Sequence, residues 1–460
     1  MAIWWIRRDL RLTDNLALQA ALEAGGAFVP VFVLDPALLA RPAERRQAFL
    51  FAGLRALSEN LHALGSGLLI RRGDPTEELP RLAQELGGLP IFAEEDASHY
   101  ARERDRLVGS RTALSLLPGA GAHPLGSVLK ADGTPFTVFT PFSRAWKALP
   151  LPAANLPSPR SLPPLPALPS ADLPDLPAPA SFPAGEQEAQ RRLDAFLDGP
   201  IYDYKEDRDR MDLEGSSGLS PYLRFGMLSA RQAAQAARGA SYSAPNESAR
   251  AGAEIWLNEL LWREFYLSIL YHFPRVLAES FVPAGKNIRW RQAPQDLAAW
   301  QSGRTGYPVV DAGMRQLASL GWMHNRARMI TASFLVKHLL INWQEGEAWF
   351  MRQLVDGDPA SNNGGWQWTA GTGTDAAPYF RVFNPILQGL RFDPLGVYVR
   401  RWVPELAGVP TRTIHTPWQM PAELEGAAGC RLGVDYPLPI VEHPLARERV
   451  LSVYQQAFRR

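Results

Sequence analysis

The sequence predicts two structural classes in one chain. The first is an α/β N-terminal domain, a Rossmann-like parallel sheet with flanking helices; the second is a larger all-α domain. Three observations carry this. Short apolar runs of strand length alternate with helical periodicity near the N-terminus, a proline-rich stretch follows, and from about Gln187 the apolar spacing is helical almost throughout. At 460 residues the chain is too long for one hydrophobic core. The expected boundaries are 1–130 for the α/β domain, 131–190 for the linker and 191–460 for the helical domain.

The strand-length runs cover 3–6, 28–34, 68–71 and 90–93, with helical patterns over 15–24 and 43–64 between them. Continuous apolar strands joined by helices read as βαβ units around a sheet buried on both faces. Polar residues sit at the strand ends: Arg7, Arg8 and Asp9, then Asp35, Asp74, and Glu94, Glu95 and Asp96. Ligands of open parallel sheets bind at these carboxyl ends. No G-x-G-x-x-G follows the first strand, which argues against an ordinary dinucleotide site there.

Twelve prolines fall between Pro150 and Pro183, a density that excludes helix and central strand. The stretch reads as an extended surface linker, either docked through its alternating leucines or left as a spacer. Beyond it, helices are expected over 230–238, 251–271, 295–302, 309–320, 324–340 and 345–354. Past Pro394 the chain turns irregular and ends in one helix over 444–459.

Composition narrows the function. Lys+Arg 48 against Asp+Glu 47 gives a net charge of +1, so any nucleic-acid surface must arise by spatial sorting of charge. Residues 1–150 hold 17 basic and 16 acidic side chains, so the two parts do not differ in charge. The one cysteine, Cys430, forbids an internal disulfide and a cysteine zinc site, and the histidines lack metal-ligand spacing; no metal is expected. The apolar start is six residues long before Arg7, too short for a signal segment, and no run is long enough to span a membrane. A soluble cytoplasmic monomer is the expectation.

Eleven of the fourteen tryptophans lie between Trp256 and Trp418. They read either as an aromatic core or as surfaces that stack on flat heterocycles and bases. On a helix, Glu259, Trp262, Arg263 and Tyr266 share one face, which suits either a pocket that stacks and hydrogen-bonds a base or a buried ion-pair network. Asn325 and Met329 also share a face, Arg326 points elsewhere toward phosphate, and Arg328 needs an acid partner. From Asp356 to Trp368, two acids, amides, a double glycine and two indoles read as a turn that lets backbone approach a ligand. The small-residue loop from Glu214 to Ser220, followed by Pro221, reads as an N-cap or as a phosphate cradle with Tyr204 and Arg208 nearby.

The blocks from Trp256 to Tyr266, Thr305 to Met351 and Asp356 to Pro385 resemble the photolyase/cryptochrome family. They include Asn-Asn-Gly-Gly-Trp-Gln-Trp and Gly-Thr-Asp-Ala-Ala-Pro-Tyr-Phe-Arg, and the N-terminal Trp-Trp-Ile-Arg-Arg-Asp-Leu-Arg-Leu-Thr-Asp-Asn matches the family's first strand. The likeness covers nearly the whole chain and is strongest to bacterial class I members acting on cyclobutane pyrimidine dimers. It implies FAD, active in its reduced form, bound in the helical domain. Tyr204, Ser216, Ser217, Gly218, Leu219 and Ser220 would hold its phosphate side with Trp256 nearby. Asp356 and Asp358 would meet the isoalloxazine and ribose side, Arg328 would pair with Asp356, and Asn362 would face flavin N5.

The resemblance further implies light-driven electron donation to a dimer flipped out of DNA. Glu259, Asn325, Met329, Trp262 and Trp368 match the substrate positions, the two indoles forming an aromatic wedge. Trp366, Trp343 and Trp290 match the family's electron-hopping chain. Arg208, Arg263, Arg326 and Arg381 would face DNA phosphates. The residues at Asn325 and Met329 are histidines in relatives acting on (6-4) photoproducts, so the cyclobutane dimer is the implied substrate. Tyr100-Ala101 stands where relatives binding methenyltetrahydrofolate carry Asn-Glu. An antenna, if bound, would be a deazaflavin or a second flavin, with Arg11 and Glu103 as contacts. The competing readings are a cryptochrome-type light sensor, against which Asn362 and the short tail after the last helix count, and a light-independent flavoprotein.

Overall fold

In the computed structural model, which describes residues 2–154, 156–378 and 380–459, the chain separates into two compact units. One comprises 1–205, 217–274 and 355–360; the other comprises 206–216, 275–354 and 361–460.

The first unit is built on five parallel strands: β1 (Ala2–Ile6), β2 (Phe28–Leu34), β3 (Leu69–Arg72), β4 (Ile91–Glu94) and β5 (Leu114–Leu117). Their order is β3-β2-β1-β4-β5, so the direction of winding reverses between β1 and β4. Ile3 lies opposite both Val29 and Ile91, and all five residues of β1 are buried. That burial on both faces is why the strands read as unbroken apolar runs. β5, with its Leu-Ser-Leu-Leu sequence half exposed at the edge, was not among the expected strands.

The proline-rich stretch is docked rather than a free spacer. Leu162 N–H donates to Leu64 O at 2.8 Å, Ala171 N–H donates to Ile70 O at 2.9 Å, and Ile70 N–H donates to the Ser170 hydroxyl at 3.0 Å. Leu165 and Leu168 pack onto the sheet core. The strap thereby caps the open edge of β3, which would otherwise expose unpaired backbone groups. The long Glu247–His272 helix of this unit starts at Asn246, whose side chain accepts from Ala249 N–H at 2.9 Å.

The second unit is helical, around a core that includes Trp300, Met314, Phe334, Leu335, Phe350, Trp366 and Tyr398. Asp311, fully enclosed, accepts from Thr305 N–H (2.7 Å), Gly306 N–H (3.0 Å) and the Tyr436 hydroxyl (2.6 Å) and so ties distant segments together. Two expectations change here. The helix expected over 324–340 is α-helical only over Asn325–Ser333 and continues as a π-helical turn, Phe334–His338. The stretch expected to be a turn is largely the Pro359–Ala370 helix: Pro359 suits the first turn, and the helix carries Gly364–Gly365 despite their low propensity.

Candidate functional site

In the sheet-bearing unit, the Glu247–His272 helix presents Trp256, Glu259, Trp262 and Arg263. Trp256 is buried against Phe196 (ring centroids 5.1 Å), which also meets Tyr204 edge-on at 5.7 Å, so Tyr204 and Trp256 belong to one aromatic cluster. Glu259 and Trp262 are half-buried. Trp262 stacks on Phe139 with centroids 3.7 Å apart and planes 5° apart, which fixes the indole through one face. Arg263 differs from the expected phosphate contact. Its guanidinium turns inward, donating to Ala120 O at 2.8 Å and Leu223 O at 3.4 Å, and lines a cleft at the carboxyl ends of β1 and β4.

The loop before the Ser220–Arg224 helix supplies the cradle geometry. Gly218 adopts φ +62°, and a Cβ there would sit 3.2 Å from Arg192 Nη1, so the position favours glycine on both counts. Leu219 is buried, Ser217 and Gly218 are half-buried, and the Ser220 hydroxyl donates to Asp356 Oδ2 at 2.6 Å. Asp358 is engaged by Arg8 (2.6 Å) and stands 3.6 Å from Arg224, whose Nε donates to Gly357 O at 2.8 Å. Burial lowers Arg224 to about 9, helped by Arg8 and Arg46, and burial lowers Arg46 to about 10 against the pull of Asp356 and Asp358. Arg224 Nη1 is buried and finds no hydrogen-bond partner among the described residues. A buried donor without an acceptor, among crowded guanidiniums and beside a small-residue cradle, is what an anionic ligand satisfies. These residues fit a diphosphate-bearing cofactor. Arg8 was expected only as a polar residue at the end of the first strand; Arg46, Arg224 and Phe139 were not singled out from the sequence. Only the adjacency of Arg224 to the Ser220 block signalled any of them.

Arg11 also differs from expectation. It is 1% exposed, donating to Asp14 O at 2.9 Å, Gly226 O at 3.1 Å and the Glu94 carboxylate. Its three guanidinium nitrogens all donate within the protein. Glu103 is half-exposed and pairs with Arg106 at 2.5 Å.

In the second unit, the Asn325–Ser333 helix brings Asn325 and Met329 together, Asn325 Nδ2 lying 3.9 Å from the Met329 sulfur. Its cap is His324, whose Nδ1 accepts from Arg326 N–H at 3.2 Å. Burial lowers His324 to about 4, so the ring is neutral and keeps the lone pair that the cap requires. Arg328 Nε donates to Met323 O at 2.8 Å. Arg326 forms a forked pair with Asp209 (2.6 and 3.2 Å), Arg208 lies 3.9 Å from the same carboxylate, and Arg381 is exposed.

The Pro359–Ala370 helix carries Asn362, Trp366 and Trp368. Asn362 Nδ2 donates to Glu347 O at 3.1 Å, and Asn363 Nδ2 donates to the Glu347 carboxyl at 2.9 Å. Burial raises that carboxyl to about 7, with the Asn363 bond opposing it. Trp366 is buried between Phe350 (5.0 Å) and Trp300 (6.1 Å), both edge-on. Trp343 is buried, and Trp290 is half-buried with its ring 6.3 Å from Tyr454. Trp368 and Ser216 are half-buried. Among the described residues no group of histidine, cysteine or acidic side chains could hold a metal ion, and no helix is long and apolar enough to cross a membrane.

Comparison with known proteins decides the family. Residues 2–166 match the family described as DNA photolyase, and residues 256–456 match the FAD binding domain of DNA photolyase. The chain belongs to the DNA photolyase family. Among its relatives, the deoxyribodipyrimidine photo-lyase of Halobacterium salinarum is 41% identical over 99% of both chains, and that of Escherichia coli is 40% identical over 98% of both. A bacterial class III photolyase from Agrobacterium tumefaciens superposes with a TM-score of 0.94 at 38% identity, covering 100% of this chain and 98% of that one. A cryptochrome from Synechocystis superposes with a TM-score of 0.88 at 30% identity, covering 98% and 99%. As a photolyase family member, the chain carries the family's FAD-binding domain.

Proposed function

We propose that this photolyase family protein repairs cyclobutane pyrimidine dimers in DNA under light. The observation that carries this is full-length identity of about 40% to relatives named deoxyribodipyrimidine photo-lyase. When bound, reduced FAD supplies the photoexcited electron that splits the dimer.

The chain's own residues bind and orient. The cradle at Ser217, Gly218 and Ser220, with Ser216, Tyr204 and the Arg224 donor, is assigned to the diphosphate. Asp356 is assigned to the ribose and ring side; Asp358, already held by Arg8, would contribute there mainly through its backbone. Glu259 is assigned to hydrogen-bond a thymine edge, and Trp262, held on Phe139, to stack on the flipped dimer. Asn325, Met329 and Trp368 of the second unit are assigned as substrate contacts. Asn362 would present its amide toward flavin N5, its side chain held by its bond to the Glu347 carbonyl. Trp366, Trp343 and Trp290 are assigned to pass electrons inward, consistent with two buried rings followed by one that is half-buried. Arg208, Arg326 and Arg381 are the proposed phosphate contacts. An antenna pigment, deazaflavin or flavin, would bind the sheet-bearing unit without Arg11.

The test is illumination of the reduced protein with dimer-containing oligothymidine, followed by the return of thymine absorbance. Recovery in light alone is expected. Equal recovery in darkness, or none in light, would remove the proposal.

A further inference from the structure

Arg326 follows Asn325 at the start of its helix, yet its guanidinium is committed inside the protein. Asp209 takes the Nε edge and Nη2 at 3.2 and 2.6 Å, in the two-pronged geometry that suits carboxylate and phosphate alike. The Phe392 ring lies 4.3 Å from the guanidinium carbon and covers one face. The side chains of Arg326 and Asp209 are 14% and 31% exposed, so the pair is sheltered but reachable.

Asp209 is itself held in place. Its loop runs Arg208-Asp209-Arg210-Met211-Asp212, Arg210 is forked onto Asp212 at 2.7 and 2.6 Å, and Met211 N–H donates to Phe392 O at 2.9 Å. The residue that backs Arg326 and the loop that presents Asp209 are therefore one assembly. An arginine whose fork is filled by a carboxylate displaces no counterion from DNA until that carboxylate lets go.

We propose that Asp209 is a built-in phosphate mimic, which keeps Arg326 off undamaged DNA and yields it only to the phosphate beside a bound lesion. This rests on the DNA-repair reading above and adds a specificity residue to it. Undamaged duplex is held by phosphate contacts alone, with nothing to offset opening the pair. A lesion held by Asn325 and its neighbours supplies base contacts that do.

The test is equilibrium binding of the FAD-loaded protein to undamaged and dimer-containing duplexes between 50 and 200 mM salt. For Asp209→Asn, undamaged binding should tighten on the order of fivefold at the lower salt. Its logarithmic salt slope should steepen by about 0.9, the contribution of one phosphate contact, so it loses about 3.5-fold more affinity across that range than the parent does. The slope for dimer DNA should stay unchanged. Arg326→Ala should do the reverse: the dimer-DNA slope falls by about 0.9, while the slope for undamaged DNA changes far less. The double variant should match Arg326→Ala. If Asp209→Asn weakens binding to both duplexes, Asp209 positions Arg326 for phosphate and the proposal is overturned. An unchanged slope, or a gain that survives in the Arg326→Ala background, overturns it too. A parent protein that does not prefer dimer DNA would instead count against the repair reading.

Discussion

Gly346 ties packing to the proposed electron relay at one atom. A Cβ built on it would lie 2.1 Å from Cη2 of Trp366, 2.4 Å from Cζ3, and 2.6 Å from Cδ2 of Leu335. Ordinary carbon contact is about 3.5–4.0 Å, so Gly346→Ala requires the indole to retreat by about 1.5 Å. Phe350 and Trp300 already pack edge-on against that ring, and all of these side chains belong to one buried core. Overpacking of this kind costs about 1–3 kcal/mol, while replacing a helical glycine by alanine returns about 1 kcal/mol. The net expectation is a loss of roughly 0–2 kcal/mol, read as a lowered denaturation midpoint with an unchanged slope. The displaced Trp366 should also slow photoreduction of oxidised FAD by an external donor, measured by flavin absorbance under blue light. Chemically reduced protein should keep its repair yield. Unchanged stability together with unchanged photoreduction would refute both the packing argument and the place given to Trp366.

Other consequences are as direct. Trp366→Phe should abolish photoreduction while pre-reduced protein still repairs, and loss of both would show that the tryptophan has another role. Glu259→Ala should lower repair yield per absorbed photon far more than FAD content; a flavin-free variant would place Glu259 at the cofactor instead. Lys337 is 1% exposed and lies 3.8 Å from the Tyr454 ring, with Ala370 O at 3.3 Å and no carboxylate paired to it among the described residues. Burial lowers it to about 7, so below that pH the folded state carries a buried cation at a cost on the order of 4 kcal/mol, reduced by the carbonyl and the ring. The unfolded chain binds the proton up to about pH 10.4, so this cost fades as pH rises from 7 toward 10. Lys337→Met should therefore stabilise the protein by about 1–3 kcal/mol at pH 6, with the gain shrinking by pH 9; a loss of stability at pH 6 would contradict this.

The parts of the molecule legible in its sequence are those that local physics decides. β1 and β2 are apolar because both faces are covered, and they read so without knowledge of the rest. β5 was hidden because a four-residue edge strand with exposed Ser115 and Leu116 has neither run nor alternation. The π-turn at Phe334–His338 was hidden because all five of its residues are buried, so no periodicity marks the change of hydrogen bonding. The double glycine at Gly364–Gly365 suggested a turn, but tertiary contacts of Asn363, Trp366 and Gln367 keep the segment helical. The site was legible as residue types on shared faces and, more strongly, as family motifs. What the sequence could not reveal was how the arginines are occupied. Arg263 reaches Ala120, 143 positions away, Arg326 reaches Asp209, 117 positions away, and Arg11 reaches Glu94, 83 positions away. Such pairings depend on the fold, and no spacing rule announces them.

Single-turnover flash repair distinguishes an electron that is lent by the flavin from one that is spent. Reduced protein saturated with dimer-containing oligothymidine receives one light flash, and thymine absorbance and flavin absorbance are followed together. Dimers should be split in proportion to photons absorbed while the flavin returns to its starting reduced spectrum, because the electron is lent and recovered. Dimer splitting matched one-for-one by lasting flavin oxidation, or a full flavin response with intact dimers, would contradict it.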